Sequence, residues 1–96
     1  MVSVLAICFL LAGCSESGSS IEQCLKRAKA EFEIRNLSEA MSAAIEVIDK
    51  ADRCGEDSLK AAGLCLAANI AMMNKEDSLS WVYAEEAHNL AISSNL

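Results

Sequence analysis

The chain reads as an all-α protein made of two antiparallel helical hairpins, about four helices in all. Three observations predict this. No proline interrupts the 96 residues, and aromatics make up only 4% of them, so helix formers meet no rigid break. Apolar residues recur at i, i+3, i+4 and i+7, the spacing of one helix face. Cap-type residues recur where each apolar stripe begins.

Residues 1–12 are apolar apart from Ser3. Val2 to Leu11 matches the roughly 7–15 apolar residues of a secretory core segment. It falls short of the about 20 that cross a bilayer, because Gly-Cys-Ser-Glu-Ser-Gly-Ser-Ser at residues 13–20 stops the run. The small pair Ala12-Gly13 admits a peptidase to the backbone, and the Cys14 thiol is a nucleophile that can take a lipid. No Lys or Arg precedes the run, so the amino terminus is its only positive charge.

This stretch resembles the signal of bacterial lipoproteins, whose lipobox reads Leu-(Ala/Ser)-(Gly/Ala)-Cys. Leu11, Ala12, Gly13 and Cys14 match all four positions. The resemblance implies that residues 1–13 are a cleaved signal peptide. It implies that Cys14 becomes the first mature residue and carries diacylglyceryl, and that residues 14–19 form the lipidated cysteine and its flexible tether. In that family an Asp after the cysteine favours the inner membrane. Ser15 therefore implies the outer membrane, with the body facing the periplasm. Acyl chains would supply the membrane attachment, at about 0.8 kcal/mol per buried CH₂.

All charged residues lie after the expected cut, so the mature net charge stays at −6. An acidic surface argues against nucleic acid and against direct docking on anionic lipid. One small domain, residues 20–96, remains, near the lower limit for an independently stable core.

Its first helix starts at a capping box, Ser20-Ile21-Glu22-Gln23. Ile21, Cys24, Leu25, Ala28 and Phe32 form its apolar face, and it ends near Arg35. A second capping box, Asn36-Leu37-Ser38-Glu39, opens the second helix, whose apolar set is Ala40, Met41, Ala44, Ile45, Ile48 and Ala51. So short a connection makes the pair an αα-hairpin. Gly55 suits the position just past a helix end and Asp57 a new start. Residues 61–73 carry no charge. A helix apolar all round is expected to be buried all round, so the third helix is placed at the centre. Residues 74–78 form a polar loop. The fourth helix carries Trp81, Ala84, Ala87, His88, Ala91 and Ile92 on one stripe.

The hairpin at residues 28–51 resembles a tetratricopeptide repeat. Ala28 takes the small position, Phe32 the aromatic neighbourhood, Asn36-Leu37 the turn and Ala40 the first alanine of the second helix. Val47 stands where the second alanine is expected, and the terminal proline is absent. In the second half Ala84 and Ala91 keep the alanine spacing, and Ala68 fills the small position. The resemblance implies a curved stack whose inner surface holds a peptide or protein. Two repeats are fewer than the about three that usually stand alone. A disulfide, a homodimer or a bound partner is therefore expected to help.

Cys24, Cys54 and Cys65 remain in the body. In an oxidising compartment they read as one disulfide and one leftover thiol, or as three small buried apolar residues. Cys24 near the start of the first helix and Cys54 past the end of the second make the preferred pair, with Cys54–Cys65 competing.

Catalytic parts are scarce. His88, the single histidine, is expected to be a half-buried structural residue. No Cys-x-x-Cys occurs, so neither a redox site nor a zinc ribbon is indicated, and no metal or cofactor is expected. Adjacent carboxylates such as Glu85-Glu86 point apart on a helix, and glycine-rich phosphate loops and nucleophile elbows are absent. Trp81 and Tyr83 have polar handles and are the candidate partner contacts; the bland alternative puts Trp81 over the third helix as a core lid. The expectation is a non-catalytic, membrane-anchored interaction module with a protein partner in the envelope. A small phage- or plasmid-type accessory lipoprotein that excludes or inhibits an envelope component is the alternative.

Overall fold

A computed structural model describes residues 18–95. These residues form four helices and no strand: α1 (Gly18–Glu33), α2 (Leu37–Cys54), α3 (Asp57–Met73) and α4 (Asp77–Ser93). α1 pairs with α2, α2 with α3 and α3 with α4, while α1 meets α3 along a narrower contact. The two expected hairpins, α1–α2 and α3–α4, are present, and α3 takes the central place. Helix is already established at Gly18, ahead of the expected start at Ser20. Leu11, Ala12, Gly13 and Cys14 lie outside the described residues. No described helix is long and apolar enough to cross a membrane.

The turns follow a strict cadence. Arg35, Gly55, Lys75 and Asn95 all have positive φ, between 58° and 68°, each 20 positions after the last (35, 55, 75, 95). After each of the first three of these residues, the next amide reaches back to a carbonyl five residues earlier. Asn36 N–H donates to the Glu31 carbonyl, Glu56 to Ala51 and Glu76 to Ala71. This is the Schellman closure, which satisfies the orphan carbonyls of a helix end. One helix-plus-turn thus occupies 20 residues and one hairpin 40, longer than the about 34 of a tetratricopeptide repeat.

The sequence carries the same period. Glu56-Asp57-Ser58-Leu59 recurs as Glu76-Asp77-Ser78-Leu79, a signal that reading one element at a time misses. The caps also differ from expectation. Asn36 stands at the N-cap, yet its side chain caps nothing; its Nδ2 donates instead to Glu31 Oε2 at 2.8 Å. A carboxylate is a strong, charge-assisted acceptor, and the bond ties the turn to the end of α1.

The core is small and alanine-rich. Ile21, Leu64, Ile70 and Val47 are its largest fully buried side chains, with Ala28, Ala40, Ala44, Ala51 and Ala67 closing the axes together. Gly63 sits where α3 crosses α2. A Cβ there would lie 3.0 Å from Ile48 Cγ1 and 3.1 Å from Val47 Cγ1. Hydrogen is what allows this approach. α2 turns a slightly different face inward than predicted: Ala43 and Val47 are buried, and Ile45 is 47% exposed.

Candidate functional site

Two places gather side chains of interest, and each is built by the cadence of the helices. The first is a polar clamp between α1 and α2. Cys24 Sγ donates to Glu46 Oε2 at 3.0 Å and lies 3.6 Å from the Ala43 carbonyl. Lys50 Nζ and Arg27 Nη2 stand 3.5 and 3.8 Å from the same carboxylate oxygen. Burial, then the hydrogen bond to Glu46 and its negative charge, push the Cys24 thiol up to about 11. The bond from Cys24, with Lys50 and Arg27 beside it, holds the Glu46 carboxyl below its ordinary value. A thiol so perturbed is a poor nucleophile, and its role is to join two helices. The Cys24–Cys54 bridge is not formed in this structure: Cys24, Cys54 and Cys65 are all thiols, and Cys24 is engaged with Glu46.

The second place is the outer side of the α3–α4 hairpin. Ala61, Cys65 and Ala68 from α3 and Ala84, His88 and Ala91 from α4 line an open groove of about 470 Å³. Around the outer edge of α4 a smaller cleft of about 350 Å³ is lined by Trp81, Ala84, Glu85, His88 and Asn89. Ala84 and His88 belong to both, so groove and cleft form one continuous surface. Trp81 is 71% exposed and Ile92 66% exposed.

Here the structure corrects the reading of α4. Trp81 is not a lid over α3, and His88 is exposed rather than half-buried. The face that packs on the body keeps Ala87 of the expected stripe, buried as expected, and adds Ser80, also buried, and Tyr83, half-buried against the core. Ser80 misleads a polarity-based reading. Its Oγ donates to the Ala68 carbonyl at 2.9 Å, so its hydroxyl is satisfied inside the protein and need not face water. One such residue shifts the apparent buried stripe by one position, about 100° around the helix.

Trp81 and Tyr83 consequently fall on opposite sides of α4, and one surface does not use both. α3 is also less enclosed than expected. Cys65 and Asn69 face the groove, and Met72 and Met73 are exposed. Cys65 and His88 share the groove, but among the described residues no three His, Cys, Asp or Glu side chains group so as to hold a metal ion.

α1, the opposite edge of the stack, presents a different surface. Its exposed positions include Glu22, Lys26, Lys29 and Glu33, a charged coat. The 40-residue relation between hairpins shows what the groove is. Ala84, Ala87, His88 and Ala91 stand where Ala44, Val47, Ile48 and Ala51 stand in α2, and Gly63 of α3 packs onto Ala44, Val47 and Ile48. The groove on α3–α4 is therefore the counterpart of a surface that a helix covers in the first hairpin. Compared with known proteins, the chain matches no family model, no curated protein sequence and no solved structure.

Proposed function

We propose that this protein is a lipid-anchored, periplasm-facing interaction module, held at the bacterial outer membrane through Cys14 and contacting a protein partner with the open face of its last hairpin. The address rests on Leu11-Ala12-Gly13-Cys14. The observation that carries the binding role is the exposed stripe of Trp81, Ala84, His88 and Ile92 on α4. An exposed tryptophan beside a small-residue groove has the anatomy of a binding anchor. No catalytic group is assigned.

Two measurements test the two halves separately. Metabolic labelling with palmitate should mark the wild type and leave Cys14→Ser unmarked, with the variant moving from the membrane to the soluble fraction. An unlabelled wild type that fractionates like Cys14→Ser removes the anchor. Cross-linking from the α4 face in intact cells should yield adducts larger than the monomer, and their absence removes the binding role.

A further inference from the structure

We infer that the occupant of the α4 face is a second copy of this chain, laid antiparallel across a twofold axis. The inference rests on the proposed binding role of that face and names its partner. Three observations lead to it. The groove beside the stripe is helix-shaped: its internal counterpart on the first hairpin, Ala44, Val47 and Ile48, is covered by α3, and Ala61, Ala68, Ala84 and Ala91 leave room for an axis to approach. Exposed positions of α1 include Glu22, Lys26, Lys29 and Glu33, so stacking α1 of one copy on α4 of the next would bury Lys26 and Lys29 against alanine and tryptophan. A head-to-tail filament is therefore disfavoured and a closed pair favoured.

The third observation is self-complementarity. Reversing the outward residues of α4 about their midpoint sets Trp81 against Ile92 of the second copy, Ala84 against Asn89, and Glu85 against His88. Each contact occurs twice by symmetry. The largest anchor meets the apolar end of the stripe, and the acid meets the one histidine. Glu85 and His88 already line one cleft with Trp81 in the single chain. A parallel arrangement would oppose Glu85 to Glu85 and lose this match. Each copy carries −6, so long-range repulsion opposes association, and the pair should tighten as salt rises toward about 0.1 M, where the Debye length falls to about 10 Å.

The test uses the full chain in its own membrane, with p-benzoylphenylalanine replacing Asn89, which would face Ala84 of the second copy. Illumination should give an adduct at twice the mass of the single membrane-bound chain, identified by mass spectrometry as this chain alone. His88→Glu, which sets carboxylate against carboxylate, should reduce that band at least about tenfold. Adding Glu85→Lys should restore it, and circular dichroism of each variant should show the same helix content. A dimer band indifferent to the charge exchange overturns the antiparallel pairing. An adduct only with a different protein overturns self-association while leaving the binding role standing. No adduct overturns both.

Discussion

Cys24 and Glu46 show how a single pair joins two helices at the residue scale. One hydrogen bond contributes to both the thiol's raised value and the carboxyl's lowered value, so stability should fall at both ends of the pH range. For Glu46, stabilisation is present above the usual carboxyl range and is lost as pH falls through it. For Cys24 it is present below the ordinary thiol value of 9.0 and is lost as pH rises toward about 11. Cys24→Ala should remove the alkaline dependence, weaken the acid one while Lys50 and Arg27 still hold Glu46, and cost about 1–2 kcal/mol in chemical denaturation at neutral pH. The same geometry sets an order of thiol reactivity. Cys65 is exposed and Cys24 buried, so an alkylating reagent at neutral pH should modify Cys65 first and Cys24 last, as peptide mass mapping would show. A protein isolated with Cys24 already bonded to Cys54 would have to have given up the contact with Glu46.

At the scale of the element, the turn cadence makes its own predictions. A Cβ at Gly55 would meet nothing within 4 Å, yet the residue has φ of +68°, so Gly55→Ala is penalised by backbone strain alone, by roughly 1 kcal/mol. Lys75 holds the same conformation with a side chain, and Lys75→Gly should therefore stabilise by roughly 0.5–1 kcal/mol, read from the thermal midpoint. Gly63 is the opposite case, helical and sterically closed. Gly63→Val should lower stability by about 2–3 kcal/mol because Val47 and Ile48 cannot both retreat. Ion pairs at this scale contribute less. Lys60 bonds Asp52 at 2.8 Å across the α2–α3 turn, but Asp52 is largely exposed, and surface pairs are worth about 0–1 kcal/mol.

For the whole molecule, the arrangement is serial, with each helix packed chiefly on its chain neighbours. Stability in such a stack is a sum of neighbour interfaces. α2 and α3, covered on two sides, should therefore show the slowest amide exchange, and α1 and α4 should exchange faster. Pairing through α4 would reverse this for α4 alone, so its protection should rise with protein concentration while that of α1 stays fixed. The contrast between the charged α1 edge and the Trp81–Ile92 stripe of α4 is why the proposed pairing uses one side only.

Much of this was legible from residues alone. Helical spacing, the absence of proline and the short polar breaks sufficed for four helices in two hairpins, because hydrophobic period and turn chemistry are local properties. The apolar face of α1, from Ile21 to Ala28, is plain in the sequence because its buried and exposed residues differ sharply in polarity. The 20-residue period was also present in Glu-Asp-Ser-Leu at 56–59 and 76–79, although adjacent-element reading passes over it. In α3 and α4 polarity no longer separates the faces. Alanine, serine, histidine and tryptophan are each tolerated on either side, so the choice depends on which neighbour is present. Only the packed structure decided that Ser80 turns inward to the Ala68 carbonyl and Trp81 outward. The physical reason is that a buried hydroxyl is stable only where a distant carbonyl waits for it, and a large ring is exposed only where no further helix covers the hairpin.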